Sequence, residues 1–423
     1  MQKNIIPFIG FLFSANITPQ CFKMAVTRID IETFLSVGYQ YPVIDVRSEG
    51  EFAHAHIPGA VSMPLFNNQE RKIIGTAYKQ QSKQQASKLG LAIFGKKMVE
   101  MVEFVERLLE CDPKYRSSKT LIVHCWRGGM RSGGVGWLLD LYGFKVYTIV
   151  GGYKAFRRWG MQQFEKDYRI NILGGYTGGG KTFVLQQLNR QNMVTIDLED
   201  LAKHKGSAFG SIGMPDQPSQ EMFENLLAIE LFKADSRCKM EDAQIGEAAE
   251  GWTGERQQLH RNIKNEVVLP HFAEPMPEDC RPSACIWMED ESQRIGLVNI
   301  PSAFFKNMRN KPVYFLEIPF EERLKHIVRG YGKGDKQEIA SAIIRIQKRL
   351  GGRETKTALN FLIEDNLEES FRILLKYYDK QYLKGLHSRE NLNELLHTIE
   401  CETVDAVKNT ALIFAKQTEQ VNV

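Results

Sequence analysis

The chain has 423 residues, room for two or three domains at about 100 to 200 residues each. Hydrophobic residues make up 43% and charged residues 25%, with 34 glycines and 15 prolines, which excludes a disordered or collagen-like chain. Lysine and arginine number 55 against 51 aspartate and glutamate, a net +4 that excludes a strongly cationic tail protein but permits a local basic groove. The cysteines (Cys21, Cys111, Cys125, Cys238, Cys280, Cys285, Cys401) are scattered without a CxxC pair, so neither a disulfide framework nor a zinc site is expected, and a reducing cytoplasm fits.

In chain order, the opening MQKNIIPFIGFLFSA holds a short apolar stretch broken by Pro7 and reads as a loose extension over 1–23. No window approaches the roughly 20 apolar residues of a spanning helix, so no membrane partner is expected. From Met24 onward, short apolar strands (YPVIDVR, KTLIVHC, KVYTIVGG) alternate with helical patterns (KKMVEMVEFVERLLE, GVGWLLDLYGF), the signature of an α/β domain with a parallel sheet. The first domain is expected to end near residue 160, within FRRWGMQQFEKDY, and a second to begin at Tyr168 with the strand RINILGG. That second α/β domain repeats the logic through KTFVLQQLNR, MVTIDL, a helix near Phe223 to Phe232, CIWMED, KPVYFLEI and FEERLKHIV, is expected to end near residue 400, and from Lys336 onward shows helical apolar spacing that runs through AVKNTALIFAK. Between 239 and 284 the residues are polar, proline-bearing late and without either period, so an irregular insertion is expected; 401–423 reads as a C-terminal tail.

Two motifs carry chemistry. In KTLIVHCWRGGMRSGG an apolar strand delivers Cys125 into a glycine-rich turn, with a helix expected from near Ser132. Inward N–H groups, the helix N-terminus and the flanking Arg127 and Arg131 lower a thiol's pKa toward the nucleophilic thiolate. A lone cysteine closing a strand is more often simply buried, but the paired glycines and arginines single this one out.

The second motif, GGYTGGGKT, fits G-x-x-x-x-G-K-[ST] from Gly175 to Thr182, between a strand and a helix. Gly175, Gly178, Gly179 and Gly180 free backbone N–H groups to wrap a phosphate, Lys181 supplies a point charge, and the Thr182 hydroxyl can hold Mg²⁺. Acidic partners for such a loop are sought at neighbouring strand ends, where Asp197, Glu289, Asp290 and Glu291 stand, each equally able to serve as a cap or a solvated carboxylate. The loop therefore points to a phosphate or diphosphate ligand more securely than to ATP hydrolysis. Four stretches mix basic and aromatic residues (153–159, 326–336, 345–353 and 374–384), as an RNA partner would use and as solvated helix faces also display.

Family resemblance enters through particular residues. Asp45 and Arg47 in VIDVR, followed by EF, by HIPGA with His56, and by the Cys125 loop, resemble a rhodanese domain over 24–160; Asp45, Arg47 and His56 read there as scaffold. Joined to GGYTGGGKT, HKGSAFG (204–210) and EDESQRIG (289–296), the whole resembles the tRNA 2-selenouridine synthases, with 1–23 and 239–284 outside the match. The resemblance implies replacement of sulfur by selenium in wobble-position 2-thiouridine of tRNA, with selenophosphate as donor, through an S-geranylated intermediate made from geranyl diphosphate. It places selenium handling at Cys125 and a phosphate ligand at 175–182. The competing readings are a sulfurtransferase whose P-loop binds a nucleotide without RNA, and a redox sensor with an idle P-loop.

Overall fold

The computed structural model describes residues 26–116, 118–250, 284–332 and 335–421. The expected extension over 1–23 and most of the expected insertion lie outside these residues. The chain forms two compact units that meet in sequence at Arg157 and Arg158, inside the helix Gly152–Gln163.

In the first unit, five parallel strands, β1 (Thr27–Ile29), β2 (Val43–Asp45), β3 (Val61–Ser62), β4 (Thr120–His124) and β5 (Lys145–Ile149), lie in the order β1-β5-β4-β2-β3. The run Leu121-Ile122-Val123 is fully buried, as a parallel strand covered on both faces requires. Helices Lys83–Cys111 and Met130–Tyr142 supply much of the cover, through Phe94, Met101, Val105, Val135 and Leu139. Cys125 belongs to this same core, at the carboxyl end of β4.

The second unit carries another parallel sheet: β6 (Ile170–Gly175), β7 (Val194–Ile196), β8 (Ile286–Glu289), β11 (Val313–Glu317) and β12 (Leu396–Glu400), ordered β12-β11-β6-β8-β7. A small antiparallel hairpin, β9 (Arg294–Ile295) with β10 (Val298–Asn299), stands beside it. β6 is the central strand, so the loop after Gly175 opens at the carboxyl edge of the sheet, where open α/β sheets bind their ligands. Helices Phe320–Tyr331, Lys336–Arg345, Gly352–Ile363 and Leu367–Leu386 pack around Phe209, Leu324, Ile343, Leu362, Phe371 and Leu374, which matches the helical C-terminal region expected from the apolar spacing.

Two expectations are corrected. The helix that begins at Gln220 runs on to Glu250, past Lys239 where irregular chain was expected. The segment lacks an apolar stripe, but Asp235 with Lys239 and Arg237 with Glu241 form i,i+4 pairs that support a helix without one. Residues 401–421, set apart as a C-terminal tail, are part of the second unit, and the helical spacing read in AVKNTALIFAK is a helix there. β12 adds to the edge of the sheet, and the helix Ala406–Val421 buries Ile413 completely against Val184, Leu185 and Leu188 of the helix Lys181–Arg190.

Candidate functional site

At the end of β4 the chain turns sharply over Cys125, and the helix starts at Met130, two residues before Ser132. The turn is closed by Tyr153 N–H donating to the Cys125 carbonyl at 2.9 Å and Lys154 N–H to that of Trp126 at 3.0 Å. Only glycine fits where these segments touch: a Cβ on Gly152 would stand 2.2 Å from the Cys125 carbonyl oxygen, and one on Gly128, at φ +62°, 2.3 Å from that of Ile149.

Inside the turn the Cys125 sulfur lies 3.2 Å from the Ser132 hydroxyl. Burial pushes the thiol up, but hydrogen bonds from Ser132, its hydroxyl and its N–H, and from the N–H groups of Arg127 and Gly129 outweigh it, so the pKa falls below that of an ordinary cysteine. The contrast with other described cysteines is informative. Burial without a nest of backbone donors pushes Cys238 and Cys401 up to about 11, and Cys285, which accepts Asn171 Nδ2 at 3.0 Å, up to about 12.

The two arginines contribute differently from what their sequence position suggests. The Arg127 side chain is exposed, and its backbone N–H is what reaches the sulfur. Arg131 donates through Nη1 to Glu51 at 3.1 Å, so its charge is shared with a carboxylate. Beneath the loop, Arg47 grips Asp45 with Nη2 at 2.6 Å, donates to the Ala55 carbonyl at 2.7 Å, and lies 3.9 Å over the Tyr153 ring. Asp45 and Arg47 are fully enclosed and far better suited to holding the loop than to chemistry, while His56 turns its Nδ1 to the Phe52 carbonyl. Ser132 carried no marker in the sequence beyond its place at a helix start. Replacing Ser132 by alanine is expected to raise the thiol pKa and slow alkylation of Cys125 by iodoacetamide at pH 7 several-fold, because less of the thiol is then thiolate. An unchanged alkylation profile against pH would assign the lowering to the backbone alone.

In the second unit, Gly175 to Gly180 wrap from β6 into the helix Lys181–Arg190, with Gly180 capping it at φ +69°. A Cβ there would meet Val404 at 2.6 Å, so this loop closes against the chain that follows β12. Lys181 Nζ donates to the Gly175 carbonyl at 2.9 Å, and Gly179 N–H to that of Tyr176 at 3.1 Å. Arg323 braces the turn from the helix Phe320–Tyr331. Its Nη1 donates to the Thr177 carbonyl at 3.2 Å, the guanidinium sits 4.7 Å over the Tyr176 ring, and a forked pair to Asp379 at 2.8 Å holds it.

The carboxylates sort by geometry. Glu199 accepts the Thr182 hydroxyl at 3.1 Å, which makes it the acid nearest the loop's start of helix. Asp197, the sequence-based choice from the same VTIDLED run, caps the helix Leu198–Ala202 by accepting Asp200 N–H at 2.7 Å. Glu289 is buried at the end of β8 and accepts Leu198 N–H at 3.1 Å, with its other oxygen unpartnered. Asp290 points elsewhere: Arg389 holds it at 2.5 and 3.2 Å, and the Tyr382 hydroxyl donates to it at 2.7 Å while accepting Gly175 N–H at 3.1 Å. Burial raises Glu199, Glu289 and Glu291, the last to about 8, and neighbouring carboxylates add to it, Asp197 on Glu199 and Glu289, Glu199 on Glu289 and Glu291; Lys181 pulls Glu199 and Glu291 part of the way back. Near pH 7 the proton on Glu291 spares an incoming phosphate part of the repulsion that an ionised carboxylate would exert.

Asp290 therefore reads as a strut. Asp290→Asn is expected to lower thermal stability through the buried Arg389 charge it strands, by about 3 kcal/mol, without altering any metal dependence. A thermal melt matching the wild type, with altered metal response, would return Asp290 to the ligand site.

The basic and aromatic stretches divide in the same way. Tyr153, Phe156 and Trp159 are buried, and Tyr331 and Tyr378 pack on Phe209, so these rings are not a base-stacking platform. Lys154, Arg158, Lys376 and Lys380 remain exposed for phosphate contacts. No helix among the described residues is long and apolar enough to cross a membrane.

A cysteine loop that stabilises a thiolate, followed in the same chain by a P-loop on an open parallel sheet, defines a two-domain transferase built from rhodanese-like and P-loop modules. The family model of the rhodanese-like domain matches residues 35–158, and that of the tRNA 2-selenouridine synthase AAA domain matches 168–269 and 273–410, running through most of the segment expected to stand apart. A tRNA 2-selenouridine synthase of Sulfurovum sp. is 30% identical over 81% of this chain and 87% of its own length. Those of Pseudomonas putida and Nitrosomonas europaea are 31% and 32% identical, over 81% and 74% of this chain and 86% and 70% of their own lengths. The chain belongs to the tRNA 2-selenouridine synthase family, enzymes of tRNA modification.

Proposed function

We propose that this protein replaces sulfur by selenium in the wobble-position 2-thiouridine of cytoplasmic tRNA, in two steps. In the first, the thio sulfur attacks the allylic carbon of geranyl diphosphate held by residues 175–182. A carbon–sulfur bond forms, the carbon–oxygen bond breaks, and diphosphate leaves with the electron pair. Its growing charge meets the loop N–H groups and Lys181, which stabilise the transition state more than the ground state. In the second, the selenium of selenophosphate attacks C2 of the base: a carbon–selenium bond forms, the carbon–sulfur bond breaks and geranylthiol leaves with the electron pair, and water then cleaves the phosphorus–selenium bond to release phosphate, selenium staying at one oxidation level while Cys125 assists its delivery.

The observation that carries this reading is the union, in one chain of this family, of a cysteine set in a glycine turn 3.2 Å from the Ser132 hydroxyl and a P-loop whose Lys181 and Thr182 stand at the start of a helix beside Glu199. Mg²⁺ fits as an accessory: Thr182 and Glu199 put two oxygens side by side. Among the described residues no group of three or more His, Cys, Asp or Glu is arranged to hold a metal, so such a cation would take its remaining ligands from the diphosphate and water. Family membership disfavours the sulfurtransferase without RNA and the idle sensor.

The test is mass analysis of nucleosides from 2-thiouridine tRNA incubated with the purified protein, geranyl diphosphate and selenophosphate. Geranylated and selenated uridine are the expected products. Unmodified thiouridine from folded protein would return the assignment to a sulfurtransferase.

A further inference from the structure

We propose that Phe183, His326 and Val404 form the slot that receives the hydrocarbon chain of the allylic diphosphate and sets its preferred length. The inference rests on the reading of residues 175–182 as a diphosphate site and names the part of the molecule that reads the rest of that ligand.

Phe183 follows Lys181 and Thr182 directly on the helix Lys181–Arg190. Its neighbours Val184, Leu185 and Leu188 turn into the core, which leaves Phe183 on the opposite face, 53% exposed. Single exposed apolar residues are ordinary, and what distinguishes this ring is its place at the mouth of the phosphate loop with two further side chains, His326 and Val404, gathered beside it. The ring meets the His326 imidazole edge-on, with centroids 5.7 Å apart at 84°.

His326 lies on the same helix as Arg323 and Ile327, both already against the loop: Ile327 Cδ1 would stand 2.6 Å from a Cβ on Gly178. Burial and nearby Arg329 keep the imidazole below its usual pKa, so near pH 7 it offers a neutral, flat surface. Val404 closes the third side, its Cγ1 2.6 Å and the Phe183 ring 3.8 Å from a Cβ placed on Gly180.

All three side chains thus gather at the Gly180 end of the loop, where the first turn of the helix presents its N–H groups. A diphosphate seated on those groups has one end fixed. Its organic substituent must leave past Phe183, and a prenyl chain gains there the apolar contact that a bare phosphate cannot use. A purine nucleotide could lie on the same ring; its binding is a separate arm of the test.

Binding is measured by calorimetry on the full chain with inorganic pyrophosphate, dimethylallyl diphosphate, geranyl diphosphate and ATP, comparing wild type with Phe183→Ala and Phe183→Leu. The wild type is expected to bind geranyl diphosphate more tightly than the dimethylallyl compound, and that more tightly than pyrophosphate. Phe183→Ala should cut the advantage of geranyl diphosphate over pyrophosphate by on the order of tenfold, as loss of apolar pocket contact does, while pyrophosphate affinity holds. Phe183→Leu should retain most of the advantage. An advantage unchanged in Phe183→Ala overturns the slot but leaves the diphosphate site standing. ATP binding in preference to every prenyl compound overturns both, as does no binding of pyrophosphate or geranyl diphosphate by folded wild type.

Discussion

Lys181→Ala abolishes S-geranylation of thiouridine tRNA, a loss of roughly 100- to 1,000-fold or more, while Cys125 alkylates as in the wild type. The magnitude follows from removing a donor aimed at charge that develops on a leaving group. In the structure Lys181 Nζ donates to the Gly175 carbonyl and lies 5.8 Å over the Tyr382 ring. Both are neutral partners, and the carboxyls of Glu199 and Glu291 act on the ammonium only at longer range, so an arriving diphosphate takes it without breaking a direct hydrogen-bonded ion pair. Lys181→Arg is expected to rescue poorly, because a planar fork does not fill the position of a compact ammonium within the turn. The measurement is the geranylated nucleoside in digested tRNA, alongside the thermal melt. Geranylation at the wild-type rate in a folded Lys181→Ala protein would place the allylic transfer away from this loop.

Cys125→Ala has the complementary outcome: geranylated tRNA accumulates and selenouridine does not form. The wild-type selenation rate should rise with pH through the thiol's titration, which lies below that of an ordinary cysteine because Ser132 and the loop N–H groups favour the thiolate. Cys125→Ser removes the polarisable sulfur yet keeps the hydrogen-bonding shape, and it should be as inactive as alanine. Selenouridine formed at the wild-type rate by Cys125→Ala would move selenium transfer off this loop and leave the cysteine a core residue.

Both loops were legible because each is a local pattern: a strand, a glycine turn and a helix start within a dozen or so residues. What surrounds them was not, since the partners arrive from distant parts of the chain. Tyr382 reaches Gly175, and Arg323 reaches Thr177, across stretches that no spacing rule connects. The run VTIDLED announced an acidic partner, but choosing Glu199 over Asp197 required knowing that Asp197 is consumed as a helix cap. Asp290 misled for a similar reason: a carboxylate one residue past a strand resembles a metal ligand until Arg389 is seen to hold it. β12 escaped notice because LHTIE is a short edge strand with only Ile399 deeply buried, so its alternation is faint beside the helices around it.

That edge strand governs when the second unit can fold. β6 is completed early, but β12 and the helix Ala406–Val421, whose Ile413 covers the apolar side of the P-loop helix, are synthesised after every other element described. At roughly 5–20 residues per second a ribosome leaves Val184, Leu185 and Leu188 without that cover for on the order of tens of seconds. During that interval the nascent chain exposes a sticky helix next to an unpaired strand edge at β11. The first unit, whose sheet closes with β5, can be finished before that wait begins. Slower translation of the stretch before β12 is thus expected to lengthen the period in which this half of the chain is open to misassembly.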